Sequence, residues 1–304
     1  MLRAKDFRRM ARYSLRGKWW MAIWVGFLAV LLGGGIAVYD STYTTSSDTL
    51  INVAEEALSF LPESQLDSLV ERIWYELESI PEFAIYLAAA VGIVIYGFAV
   101  LFSLAVFIIG GATVLGYARF NLHLVDGGEA RTRDLFSQFR RLGEGFLMRL
   151  LMQIYTALWM LLLFIPGIVK YYSYAMTPYI QYENPGMPVN KAITRSRQLM
   201  KGNKWRLFCL ELSFSGWIFL CILPSLVGTL ALLLSFYFNP LILAANPFAF
   251  LWVFPMILPT LVGKYILTPY LEAARAAFYR GICRETLAAE QERSDVPAGE
   301  PADV

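Results

Sequence analysis

The chain reads as an all-α, polytopic helical membrane protein of about six transmembrane helices in three hairpins, with amphipathic helices along one membrane face. Three observations predict this. Of its 304 residues 57% are hydrophobic and only 16% are charged, against about 25% charged in soluble domains. The apolar residues fall into runs long enough to cross a bilayer. The basic residues cluster: four segments, 1–18, 117–149, 184–206 and 270–304, hold all 26 Lys and Arg except Arg72, Lys170 and Lys264. By the positive-inside rule those four segments are cytoplasmic, which puts both termini inside. One histidine leaves no multi-histidine metal site, and Cys209, Cys221 and Cys283 lack metal-ligand spacing. No cofactor is expected.

In chain order, residues 1–18 carry seven bases against Asp6, with Leu2, Phe7, Met10, Ala11 and Leu15 forming an apolar stripe. The stretch Leu15 to Trp20 runs from this helix through Gly17 and Lys18 into an apolar segment, Trp19 to Tyr39, of spanning length. A signal-peptide reading of this start is outweighed by the further apolar runs that follow. Residues 40–82 differ in kind, with ten acids and the single base Arg72. Two amphipathic helical patterns there predict an extracytoplasmic helical insertion. Phe83 to Tyr117 is apolar and longer than one crossing needs. Gly92, Gly97, Gly110, Gly111 and Gly116 in it point to close helix contacts.

Thr132 to Leu142 is expected to be a short helix, followed by Gly143, Gly145 and Phe146 as a weaker copy of the N-terminal junction. Leu147 to Ile165 is the next span, broken by Pro166-Gly167. A tyrosine-rich return leg over 168–183 brings the chain back, and Lys170 is placed near its outer end. Val189, Ala192, Ile193, Ser196, Leu199 and Met200 form one face of a basic helix, with Arg195, Arg197 and Lys201 on the others. Gly202 ends that helix. Lys204, Trp205 and Arg206 follow at the membrane surface, where an amphipathic ring belongs. Leu207 to Phe238 spans, kinked at Pro224. Phe248 to Leu267 returns, interrupted by Pro255 and Pro259, and Glu272 to Arg284 forms a cytoplasmic helix. Residues 1–284 thus read as one integral membrane domain and 285–304 as a disordered tail.

Several of these stretches resemble a known family. Ile165 to Ile168, Ser173 to Tyr179, Ala192-Ile193 with Arg195-Ser196, Leu199 to Gly202 and Lys204 to Arg206 are similar to bacterial integral membrane proteins of domain-of-unknown-function family 975. Leu15 to Trp19, Pro269-Tyr270 and Ala276 to Arg280 fit as well. A looser likeness is to membrane domains attached to glycerophosphodiester phosphodiesterases. The family resemblance implies a multi-pass protein of a bacterial cell membrane, in a Gram-positive organism, and supplies no mechanism.

No Ser-His-Asp order, His-Glu-x-x-His or phosphate-cradling glycine loop is present. His123 reads as a polar residue at a span end rather than a base. Glu211 is the notable carboxylate, one turn into a span beyond Arg206; an intramembrane ionisable group is a candidate by default. It reads equally as an ion pair with a base such as Arg149 or Lys264. The expected function is non-enzymatic: binding a lipid or other amphiphile, or acting as accessory subunit of an envelope or export system. The alternative is a transporter of a small amphiphilic solute or peptide. Pro166, Gly167, Tyr174 and Glu211 would line the site, and Arg195, Arg197, Lys201, Lys204, Trp205 and Arg206 would meet headgroups. Partners are membrane lipids and another membrane protein or export complex. Nucleic acid is not among them, because the bases lie along apolar runs without a binding module.

Overall fold

The computed structural model describes residues 2–34, 71, 75, 82–238 and 253–295. The acidic insertion, apart from positions 71, 75 and 82, lies outside the described residues, as does the connection after Phe238. Among the described residues the regular structure is helical. The helices are α1 (Ala4–Leu15), α2 (Trp19–Leu31), α3 (Glu82–Val125), α4 (Arg133–Phe136), α5 (Leu142–Leu162), α6 (Phe164–Tyr174), α7 (Thr177–Glu183), α8 (Val189–Leu199), α9 (Lys204–Phe238) and α10 (Val253–Asp295). A 3-10 turn, Phe139–Arg141, precedes α5.

The chain divides into two compact units. The first comprises Met1–Gly34, Ile108–Phe219 and Gly263–Val304; the second comprises Gly35–Phe107 and Leu220–Val262. Helices α3, α9 and α10 supply residues to both.

In the first unit, α1 buries Phe7, Ala11 and Leu15. The Phe7 ring meets Phe278 edge-on at 5.1 Å. Gly281 makes the room: a Cβ there would stand 2.7 Å from the Phe7 ring. Both basic-helix junctions form as the residues dictate. Gly17 and Gly202 adopt φ of +79° and +85°, a left-handed conformation that a side chain disfavours. The third copy does not form a junction. Gly143 and Gly145 lie inside α5, and Gly145 faces α3, where its Cβ would come within 2.5 Å of the Ala112 nitrogen. Gly110, Gly111 and Gly116 are likewise contact glycines, whereas Gly92 and Gly97 have open space.

The break after α5 falls at Leu163, not at Pro166-Gly167. Leu163 is extended (φ −158°, ψ 130°), and α6 starts at the next residue. Pro166 therefore sits in the first turn of a helix, where its missing N–H leaves no bond unmade. Gly167 lies against the Met160 backbone, with 2.8 Å from its hypothetical Cβ to Cα, so the two helices reverse tightly on one another. Prolines elsewhere do not interrupt: α9 runs through Pro224, and α10 runs through Pro255 and Pro259 into the segment expected as a separate helix. It continues to Asp295, so residues 285–295 of the expected tail are helical.

In the second unit, α3 exposes large apolar side chains, among them Phe83, Ile93, Tyr96 and Phe98. The same holds for Leu220, Leu226, Val227 and Leu230 on α9. Exposed apolar surface of this extent belongs in lipid or against a partner. Three helical stretches among the described residues are long and apolar enough to cross a membrane: Ala89–Val125, Arg133–Leu162 and Lys204–Gly228. Helix α2 is apolar but has 13 described residues.

Candidate functional site

Helix α10 places Glu272 and Arg275 three residues apart on one face, amid small alanines that let α9 approach. Glu211 of α9 meets them. Its Oε1 accepts from Arg275 Nε at 2.9 Å and Nη2 at 2.6 Å. Its Oε2 accepts from the Tyr172 hydroxyl of α6 at 2.8 Å. Arg275 Nη1 donates to Glu272 Oε1 at 3.0 Å. The Arg275 and Glu272 side chains are each 4% exposed, and that of Glu211 is 12% exposed. The partner of Glu211 is therefore Arg275, 64 positions away. Arg149, one of the bases expected to pair with it, donates instead to the Gly33 carbonyl.

One guanidinium thus serves two carboxylates. Burial, opposed by Arg275 and reinforced by Glu211, pushes the Glu272 carboxyl up to about 7. Glu272 Oε2 is buried without a partner among the described residues, which is where a proton resides when the carboxyl is neutral. The two carboxylates hold Arg275 charged well above its ordinary range despite its burial. Tyr171 lies beside the same guanidinium. Tyr179 stacks on Tyr279 at 5.2 Å.

Two further networks link the first unit. Arg280 reaches Asp126 (2.9 and 2.6 Å) and Glu183, which also accepts from the Tyr279 hydroxyl. His123 Nδ1 lies 3.3 Å from Asp134, which Arg119 also approaches at 3.0 Å, and its Nε2 lies 3.4 Å from the Tyr182 hydroxyl. His123 joins α3, α4 and α7. Among the described residues no group of three His, Cys, Asp or Glu has metal-binding proximity.

The expected site residues do not converge on one place. Glu211 is committed to the buried triad. Tyr174 is buried in a packing cluster with Leu115, Met148, Val189 and Ile193, and Gly167 is buried in the α5–α6 reversal beside Pro166. Arg206 bridges three elements, donating to Glu285 at 2.8 and 3.0 Å, to the Leu2 carbonyl at 2.9 Å and to Asn203 at 2.7 Å. Arg195, Arg197, Lys201 and Trp205 are exposed and Lys204 is half-buried. The Trp205 ring stacks on Phe208 at 5.0 Å. Arg197 and Lys204 are the charges felt at Lys170, whose amine lies 4.3 Å above the Trp159 ring. Lys170 therefore stands with the bases of α8 and α9 rather than at the far end of a span. Sequence reasoning missed Arg275 and Glu272; their i, i+3 spacing on an alanine-rich helix was the available signal.

A cavity of about 530 Å³ opens between α1 and α10, lined by Leu2, Tyr13, Ser14, Arg280 and Arg284 among others. None of the expected site residues lines it.

A family model described as "Protein of unknown function (DUF975)" matches residues 160–286. That stretch takes in α6 to α9 and most of α10, and therefore all three members of the buried triad. No curated protein and no solved structure matches the chain, so the phosphodiesterase likeness has no support in these comparisons.

Proposed function

We propose that this chain, whose residues 160–286 match the family described as protein of unknown function (DUF975), is a non-enzymatic, multi-pass protein of a bacterial cell membrane that binds anionic lipid headgroups. The observation that supports this reading is the cationic face formed by Arg195, Arg197, Lys201 and Lys204. The ion pairs among the described residues, such as those of Arg119, Arg131, Arg141, Arg206, Arg275 and Arg280, take in none of these four. Bases left without carboxylates beside an exposed tryptophan fit phosphate headgroups, each contributing about 1 kcal/mol near an anionic surface. Glu211, already bonded to Arg275 and Tyr172, offers no free carboxylate to a solute, so the transporter reading has less support.

The test is native mass spectrometry of the chain extracted gently in its own lipid. The wild-type protein is expected to retain anionic lipid. An Arg195→Gln/Arg197→Gln variant should lose roughly tenfold or more of that retention, from about 1 kcal/mol per base, while staying inserted. Retention unchanged in the variant would remove the cationic face from the account. Capture of a polypeptide in place of lipid would favour an accessory subunit.

A further inference from the structure

We infer that the α5–α6 hairpin enters one leaflet of the bilayer and returns to the same face, with lipid acyl chains as the occupant around its tip. The depth limit rests on the cationic-face reading above, because it takes α8 as the marker of the membrane surface.

The tip is apolar and open. Leu161 is 88% exposed, Phe164 71% and Ile165 74%. No charged residue lies between Arg149 and Lys170. Its backbone is nearly self-sufficient: the Leu163 N–H donates to the Trp159 carbonyl at 3.0 Å, and the Gly167 N–H donates to the Leu163 carbonyl at 3.1 Å. Pro166 has no N–H to satisfy. Such a reversal survives in hydrocarbon, where each unmade backbone bond is costly.

Its depth is set by α8. On one leg, the Tyr155 hydroxyl donates to Asn190 at the start of α8, at 3.2 Å. On the other, Ser196 of α8 donates to the Ser173 carbonyl at 2.9 Å. From Tyr155 the helix rises ~10 Å to Leu162, and from Phe164 it descends ~14 Å to Ser173. The exposed bases of α8 cannot lie in hydrocarbon. The tip therefore stands ~10–14 Å beyond a headgroup-level helix, under half of the ~30 Å apolar thickness.

Charge agrees. The tip is apolar, and Lys170, Arg197 and Lys204 sit where anionic headgroups would surround its base. Both flanking segments, 117–149 and 184–206, are basic, which a hairpin entering and leaving on one face satisfies as well as two full crossings do. The expected pair of crossings over 147–183 is thereby replaced by none.

The test uses the full chain in vesicles of phosphatidylglycerol and phosphatidylcholine, with Cys209, Cys221 and Cys283 replaced by alanine and Leu163→Cys carrying an environment-sensitive fluorophore. Ile165→Cys is the second position if the first fails to insert. Nitroxide lipids are expected to quench the label, and in a parallel sample with the cysteine left unlabelled an impermeant thiol reagent on the face opposite α8 should leave its thiol unmodified. Modification from that opposite face would overturn the inference by showing a crossing. A label that lipid nitroxides do not quench would overturn it by showing protein around the tip. Insertion that persists in pure phosphatidylcholine, with lipid retention unaffected by Arg195→Gln/Arg197→Gln, would defeat the headgroup reading and still support the inserted tip.

Discussion

At Arg275 two carboxylates compete for one guanidinium, and the competition determines which substitution hurts most. Removing one partner of a buried ion pair costs about 3–5 kcal/mol because the other charge is left uncompensated. Arg275→Leu leaves both Glu211 and Glu272 facing each other and should be the most damaging change in the triad. Glu272→Gln replaces a carboxyl already near half-protonated at neutral pH and should cost about 1 kcal/mol or less. Midpoints of thermal unfolding in detergent test the order; equal midpoints for the two variants would contradict it. The same carboxyl makes stability depend on pH. Its folded value is raised from 4.5 to about 7, so folding binds the proton more tightly than the unfolded chain does. Its contribution is full below about 4.5 and is lost as pH rises through about 7. Wild-type stability should fall across that window more steeply than that of Glu272→Gln; parallel profiles would assign the slope to another group.

Elements pack here through missing side chains. Helices α3 and α5 cross at Gly111 and Gly145, and α3 meets the Leu135 backbone at Gly116. Small residues at such crossings let backbones touch, which is how helices associate when lipid is as apolar as they are. Gly111→Ala forces the Gly145 backbone aside and should destabilise by about 1–3 kcal/mol, the usual cost of overpacking. Gly92→Ala, on the same helix with nothing within 4 Å, should be neutral or gain up to about 1 kcal/mol of helix propensity. Protease resistance of the two variants in detergent separates them. Identical resistance would show that the crossing tolerates separation. Five glycines in one apolar run do not say which three touch a neighbour, because that depends on which face a distant helix covers.

Across the first unit the chain is tied end to end. Arg206 joins the start of α1, through the Leu2 carbonyl, to Glu285 near the end of α10. Tyr270 adds a bond to the Arg8 carbonyl at 3.2 Å. Phe7 and Gly281 close the contact between the same helices. Arg206→Gln removes charge-assisted bonds that typically contribute about 1.5–3 kcal/mol. It should make the N-terminal helix the first segment that trypsin releases, because α1 carries the four bases Lys5, Arg8, Arg9 and Arg12. Cleavage elsewhere first, with α1 retained, would mean that the Phe7 packing alone holds it. Sequence patterning placed Arg206 at a membrane surface, where it read as a headgroup contact. Only the fold shows that its guanidinium is already occupied.

Periodicity, glycine placement and apolar run length sufficed for the all-α class, the apolar stretches and the ends of the two basic helices at Gly17 and Gly202. Those properties are set by residues within a turn or two of one another, so the order of the chain contains them. The family match falls on residues 160–286, where the motif stretches were densest. Tertiary structure alone decided that Glu211 pairs with Arg275, that the hairpin reverses at Leu163, and that Lys170 joins the bases of α8 and α9. Each of those outcomes depends on which helix faces which. A buried charge is committed by whatever opposite charge the packing brings within reach, and along the chain that partner was 64 residues away.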